Sequence, residues 1–170
     1  MVNPAVLYIK PQNAVIMTKL EEGQKAPLFS GKNQDGETIS LEDYKGKKVV
    51  LYFYPKDNTP GCTAEACNLN DNLDAFLEKG FVVIGVSPDS EASHRKFIDK
   101  YGLKFDLISD PDKEILEKYG AYGEKNMYGK TRMGVIRSTF IIDENGNIEK
   151  IFRKVKTKEH SDQIFSELNV

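Results

Sequence analysis

Cys62 and Cys67 are the only cysteines in this 170-residue chain, and the residues leading into the first are the kind that thiol chemistry requires. An apolar, β-favouring run from Val49 to Phe53 reads as a buried strand. It feeds a breaker-rich turn containing Pro55, Asn58, Pro60 and Gly61, and a helical pattern follows. Cys62 therefore falls at a strand-to-helix junction, in or just before the first helical turn. Unpaired backbone N–H groups and the positive end of the helix dipole there favour the thiolate, the nucleophilic form of cysteine. The competing role, a small buried hydrophobe, fits poorly with a Gly-Pro turn at a helix start.

Local physics does not complete such a site. A helix terminus contributes at most about 2 kcal/mol in a favourable, partly buried geometry. A strongly nucleophilic thiol needs more, so a cation has to arrive from elsewhere. Asp57 and Glu65 have the wrong sign, and Lys56 reads as solvated. The best candidate is distant in sequence: Arg137, at the head of the apolar run Thr139 to Ile142.

The pattern Pro55-x-x-x-Thr59-x-x-Cys62 resembles the active-site signature of the peroxiredoxins, thiol peroxidases of the thioredoxin-like superfamily. Three fixed residues at about 5% each would match by chance only about 0.02 times in a chain of this length. The string Thr59-Pro60-Gly61-Cys62-Thr63-Ala64-Glu65-Ala66-Cys67 is similar to the peroxiredoxin Q group, also called bacterioferritin co-migratory protein. The likeness runs from about Leu20 to the C-terminus and includes Tyr128-Gly129-Lys130 and Arg137 to Asp143.

The resemblance implies an atypical two-cysteine peroxidase. Cys62 would be the peroxidatic thiolate, which becomes a sulfenic acid. Cys67 would be the resolving thiol that closes an intramolecular disulfide, its alternative being a buried helix cysteine. Thr59 would hydrogen-bond the Cys62 sulfur or the peroxide, and an N-cap role is compatible with that. Pro55 would hold the turn and screen the thiolate from water, or merely end the strand. Arg137 would steady the thiolate and the polarised O–O bond; the alternative is an edge-strand surface charge. Glu65 would hold the turn, or else stand in solvent, and Gly129 and Lys130 would line the mouth. Implied substrates are hydrogen peroxide and organic hydroperoxides. The implied reductant is thioredoxin or a similar dithiol protein, with no cofactor and no metal at the site. Neither the Gly-Gly-Leu-Gly insertion nor the C-terminal Tyr-Phe helix of overoxidation-sensitive relatives is present, which argues against their peroxide-driven inactivation. With no cysteine near the C-terminus an intersubunit resolving step is excluded, and a monomer or weak homodimer follows.

One geometric consequence concerns the two thiols. Residues five apart in a regular helix have Cα atoms roughly 8.7 Å apart, whereas a disulfide needs about 4.4–6.8 Å. If both cysteines lie in one helix, its first turns must unwind before they can bond.

The elements that position these residues follow in order. Residues 1–19 read as an N-terminal extension, disordered or ordered only by outside contacts, and 20–170 as one peroxiredoxin domain. Gln34 to Glu37 carries an Asp-Gly turn signal for a small N-terminal β-hairpin. Ser40 to Tyr44 reads as a helical turn capped by Ser40 and Asp43. Residues 47–54 form the first core strand, Thr63 to Lys79 a helix and Phe81 to Ser87 a second strand, a βαβ unit with parallel strands. Ser90 to Tyr101 is a helix with Ala92, Phe97, Ile98 and Tyr101 inward, and Lys104 to Ser109 a strand. Pro111 opens the helix Asp112 to Tyr119, and Gly120 to Gly134 is a loop. Val135 to Ile142 and Ile148 to Val155 form a hairpin around Asn145-Gly146, and Thr157 to Leu168 is the last helix. The fold class is α/β: a thioredoxin-like fold whose central mixed β-sheet is flanked by helices.

Composition excludes other classes. The 24 basic and 26 acidic residues are mixed along the chain, leaving a formal charge of −2 and no basic face for nucleic acid. No stretch approaches the roughly 20 apolar residues of a membrane span. Two cysteines without a secretory signal point to a reducing compartment, and the expected location is cytoplasmic. His94 and His160 lie far apart in sequence and make no zinc pattern with the cysteines. Two other functions share these features: a dithiol–disulfide oxidoreductase, although the spacing is C-x-x-x-x-C and not C-x-x-C, and a non-enzymatic redox sensor.

Overall fold

The computed structural model describes residues 8–9, 15–16 and 19–170, with Tyr8, Ile9, Val15, Ile16 and Met127 by their backbone alone. Strands β1 (Tyr8–Ile9) and β2 (Val15–Ile16) pair antiparallel. The rest of the expected extension, up to residue 18, lies outside the described residues.

A seven-stranded mixed sheet organises the domain. Its strands are β3 (Ser30–Lys32), β4 (Thr38–Ser40), β5 (Lys48–Phe53), β6 (Phe81–Ser87), β7 (Asp106–Ser109), β10 (Ser138–Ile142) and β11 (Ile148–Phe152), in the spatial order β11-β10-β5-β6-β7-β3-β4. The βαβ unit is as expected: β5 and β6 are parallel, joined through α1 (Pro60–Asp71) and α2 (Leu73–Glu78). The Asp-Gly hairpin β3–β4 and the Asn-Gly hairpin β10–β11 also form. After β4, a short 3-10 turn at Leu41–Tyr44 is closed by Asp43, whose carboxylate accepts the Ser40 N–H at 3.0 Å.

Alternation along β5 sorts the core into two layers. Val49, Leu51 and Phe53 pack on one face with Phe29, Leu116 and Tyr119, under α4 (Glu114–Lys118). Val50, Tyr52 and Tyr54 pack on the other with Cys62, Leu69, Phe76, Phe97 and Ile164, under α1, α2, α3 (Glu91–Tyr101) and α5 (His160–Leu168). Gly85 makes this second layer possible, because a Cβ there would stand 2.7–2.9 Å from Leu107 and the Tyr52 ring.

Five expectations need correction. The helix drawn from Thr63 to Lys79 breaks at Asn72, whose side-chain amide donates to Asn68 O at 2.8 Å and competes with the backbone for that acceptor. Pro111 does not start a helix. It lies in a turn closed by Lys113 N–H to Asp110 O, and α4 begins at Glu114, with Asp110 accepting the Leu116 N–H. The loop drawn over 120–134 is a hairpin of β8 (Tyr122–Met127) and β9 (Lys130–Val135). Its two-residue turn has positive φ at both Tyr128 and Gly129, a conformation whose usual Asn-Gly signature is missing here. The strand drawn from Val135 to Ile142 is interrupted, because the Ile136 N–H turns away to Ala121 O at 2.7 Å. Finally, α3 buries His94 beside Phe97 and Ile98, and Ala92 is exposed.

Candidate active site

Strand β5 ends at Phe53, and the chain crosses Tyr54 to Asn58 before α1 begins at Pro60. Thr59 has extended backbone angles and Pro60 occupies the first helical position, where its missing N–H costs nothing. The first i to i−4 bond of α1 runs from Thr63 N–H to Thr59 O. The N–H groups of Gly61 and Cys62 therefore lie ahead of it at the helix entrance. Cys62 is the third helical residue and is 1% exposed.

Arg137 reaches this helix start because β10 is antiparallel to β5, with Ser138 opposite Phe53. The break at Ile136 and Arg137 takes the arginine out of the ladder just there. Its Nη2 donates to Cys62 Sγ at 3.3 Å and its Nη1 to Glu65 Oε1 at 2.6 Å. One guanidinium thus bridges the thiol and a carboxylate one helical turn apart, a fork that a lysine could not supply. Burial works against the Arg137 charge, but Glu65 and Cys62 more than offset it and its pKa lies above the ordinary arginine value. Gly61 permits the approach: a Cβ on it would sit 3.3 Å from Arg137 Nη2.

Glu65 is fully buried, which rules out the solvated alternative. Desolvation raises its pKa from 4.5 to about 7, with Arg137 pulling the other way. The second oxygen explains the balance: Glu65 Oε2 is buried with no hydrogen-bond partner among the described residues, as is the Tyr52 hydroxyl. His160 Nε2 stands 3.8 Å from that oxygen, yet it is no cation. Gln163 Oε1 already accepts the Lys156 N–H while its amide nitrogen donates to Lys154 O, so His160 Nδ1 must be the donor to Gln163 Oε1 at 2.8 Å. That leaves Nε2 as an acceptor for the Thr139 hydroxyl at 2.7 Å, and burial lowers the His160 pKa to about 4.

Thr59 is half-buried in the turn, and its hydroxyl donates to Lys56 O at 2.8 Å. It occupies the N-cap position without a side-chain cap bond, so that part of the expectation is corrected: the local carbonyl wins over the helix N–H groups. Pro55 is half-buried at the head of the turn. Cys67 is a free thiol in the same helix, partly exposed, and burial followed by the nearby Asp71 raises its pKa. Gly129 and Lys130 lie at the exposed tip of the β8–β9 hairpin.

A second cluster, unseen in the sequence, holds the turn from behind. Asp57, two residues before Thr59, accepts from Tyr54 Oη at 2.6 Å and Ser93 Oγ at 2.8 Å, and its N–H donates to Asp89 Oδ2 at 2.8 Å. Its Oδ2 meets His94 Nδ1 at 2.7 Å, and His94 Nε2 meets Ile108 O at 3.0 Å. A carbonyl only accepts, so Nε2 carries hydrogen and one further proton lies between Nδ1 and Asp57. Asp57, Asp89 and His94 place ligand atoms within 4.8 Å of one another, the spacing of a cation site. Those atoms already serve one another and Ser87, Ser93 and Tyr54, so the cluster is a clamp that ties the turn to β6, α3 and β7.

Comparison with known proteins shows the family of the chain. The AhpC/TSA family model matches residues 22–151. A Helicobacter pylori J99 protein named putative peroxiredoxin bcp is 52% identical over 152 residues, covering 89% of this chain and 100% of the relative. The chain belongs to the AhpC/TSA family, as a peroxiredoxin of the Bcp or peroxiredoxin Q group. Peroxiredoxin Bcp of Bacillus subtilis is 50% identical over 141 residues, covering 83% of this chain and 90% of the relative. A cysteine-to-serine variant of Xylella fastidiosa PrxQ superposes with a TM-score of 0.82 at 33% identity, covering 89% of this chain and 97% of the other. Bacterioferritin comigratory protein of Xanthomonas campestris, described in terms of its alkyl peroxide reduction activity, gives 0.78 at 38% identity over 83% and 90%. The fold is thus the thioredoxin-like fold of peroxiredoxins, and the activity a thiol-dependent peroxidase reaction, with peroxide as substrate and a thiol as reductant. No helix among the described residues is long and apolar enough to cross a membrane.

Proposed function

We propose that this peroxiredoxin reduces hydrogen peroxide and organic hydroperoxides through Cys62, is resolved by Cys67 and is recycled by thioredoxin or a similar dithiol protein, as a cytoplasmic monomer or weak homodimer. The observation that carries the reading is the Arg137 fork between Cys62 Sγ and Glu65 at the helix start. In the first step the Cys62 thiolate attacks one peroxide oxygen. The S–O bond forms as the O–O bond breaks, sulfur loses two electrons, and the departing oxygen takes up a proton to leave as water or alcohol. Negative charge grows on that oxygen. Arg137, with the Gly61 and Cys62 N–H groups at the helix entrance, is arranged to stabilise it. The Thr59 hydroxyl hydrogen is engaged by Lys56 O, which leaves its lone pairs to accept the peroxide O–H, while Pro55 limits the water that reaches the sulfur.

In the second step the Cys67 thiol attacks the sulfenic sulfur, releasing water and closing the disulfide. An external dithiol then exchanges with it, becoming a disulfide itself and restoring both thiols. Support for this step is the location of both thiols in one helix, with no other cysteine in the chain. Steady-state NADPH consumption with thioredoxin, its reductase and peroxide tests the scheme. Cys62→Ser should abolish turnover, and Cys67→Ser should keep the initial attack while losing thioredoxin-coupled turnover. A Cys67→Ser variant that turns over like wild type would refute the resolving role. Oxidation of the wild type once, without turnover, would favour a redox sensor.

A further inference from the structure

The two halves of α1 are held in different ways. The side-chain hydrogen bonds of its first turns run from Arg137 to Cys62 and Glu65, and Cys62 and Ala66 pack into the apolar layer. From residue 68 onward the helix is tied to main-chain groups of two other elements. Asn68 Nδ2 donates to Lys158 O at 3.1 Å and Asn68 Oδ1 accepts the Ser161 N–H at 2.7 Å. The Ser161 hydroxyl donates to Asn68 O at 3.1 Å. Two residues on, Asn70 Nδ2 donates to Gly102 O at 3.0 Å and its Oδ1 accepts the Lys104 N–H at 2.9 Å. Leu69 between them is fully buried.

Ser161 is the second residue of α5, and its N–H is one of the groups a helix start leaves without an internal partner. Glu159, at the N-cap position of α5, makes no side-chain cap bond. Asn68 does the capping instead, from another helix. The cap and the Asn70 pair fix the backbone of α1 immediately after Cys67, the last residue ahead of the tie.

We infer that Asn68 is a positioning residue for resolution: it sets the point at which unwinding of α1 stops, so that Cys67 stays in place while residues 60–66 peel back and bring Cys62 to it. This rests on the reading of Cys67 as the resolving thiol. In the step it serves, Cys67 gives up its proton and its sulfur attacks the Cys62 sulfur. The S–O bond breaks, and the departing hydroxide combines with that proton as water. Closing a chain onto a fixed end costs less conformational entropy than bringing together two mobile ends, and it keeps the attacking sulfur oriented. An unpinned Cys67 would leave Cys62 longer as sulfenic acid, open to a second peroxide and the sulfinic state.

Amide hydrogen exchange on reduced and peroxide-treated protein, with intact mass in parallel, tests this. Loss of two hydrogens reports the disulfide; a wild type that never shows it refutes the resolving role and this inference with it. Given the disulfide, exchange should speed up at amides 63–70, whose acceptors are the carbonyls of residues 59–66, while Asp71 and Ser161 keep their protection. Loss of protection at Ser161 in the oxidised wild type would overturn the inference alone, and this arm needs no variant. In rapid-quench mass spectrometry, Asn68→Ala should slow disulfide closure about tenfold and accumulate sulfinic acid, with the initial attack unchanged within about twofold. Asn68→Asp retains an acceptor for the Ser161 N–H at a helix start that favours an anion but loses the donor to Lys158 O, and should restore part of the closure rate. Closure in Asn68→Ala as fast as wild type, or no rescue by aspartate, would refute the positioning role.

Discussion

Arg137 Nη2 donates to the Cys62 sulfur at 3.3 Å across 75 positions of sequence, because β10, which starts one residue after the arginine, runs antiparallel to the strand that leads into the Cys62 turn. The same guanidinium holds Glu65 at 2.6 Å, so thiol, carboxylate and arginine form one unit that local substitutions should disturb in distinguishable ways.

Gly61→Ala should separate stability from activity. The backbone at Gly61 is one that any residue adopts, and alanine in a helix is favoured over glycine by about 0.5–1 kcal/mol. Its Cβ would press on Arg137 Nη2 at 3.3 Å, and that atom is held by Cys62 and cannot give way freely. Urea unfolding should find the variant at least as stable as wild type, while its rate of Cys62 oxidation falls about three- to tenfold.

Glu65→Gln should change the pH dependence of stability. The folded-state pKa of Glu65 is raised from 4.5 to about 7, so its contribution is fully present below about pH 4.5 and is lost as pH rises to about 7. His160 works in the opposite sense: with its pKa lowered from 6.5 to about 4, its contribution is present above about pH 6.5 and is lost as pH falls to about 4. Relative to wild type, Glu65→Gln should therefore gain stability between pH 4.5 and 7, by at most about 3 kcal/mol, and keep the acid-side loss. Parallel curves for the two proteins in urea titrations across that range would count against the buried carboxyl.

His94→Ala should loosen the turn from behind. It leaves Asp57 buried without the proton the pair shares, a defect worth about 3–5 kcal/mol when a buried ionic partner is removed. Adding Asp57→Asn should return part of the loss, since the orphaned carboxylate is then gone. A double-mutant cycle by urea unfolding should give a coupling of about 1 kcal/mol or more, and strict additivity would rule out the clamp.

What could be read from the sequence was whatever local chemistry decides. The strand before Pro55 and the Asp-Gly and Asn-Gly hairpins follow from patterns a few residues long, and the helix expected from Thr63 starts three residues earlier, at Pro60. Arg137 was found by a charge argument, because the helix start alone falls short. Asp57 carried the wrong sign for a thiolate site, and nothing local announces that His94, 37 positions on, holds it. The β8–β9 hairpin carries no turn signal in the sequence, because Tyr128 takes a left-handed conformation that asparagine would have signalled. The break at Asn72 and the cap from Asn68 to α5 depend on asparagine side chains whose partners only the fold supplies.

The central claim is that a single sulfur, Cys62, held by Arg137 at a helix start, takes the first oxygen from peroxide. Rapid quench of Cys67→Ser protein with dilute hydrogen peroxide, followed by sulfenic-acid trapping and mass spectrometry, measures that step alone, with Arg137→Lys in the same background as the comparison. The expected result is one oxygen on Cys62 and a rate about 10- to 100-fold lower with lysine at 137, since a point charge cannot hold both Glu65 and the sulfur. Equal rates with arginine and lysine, or a Cys62 no faster than a free thiol, would contradict the account.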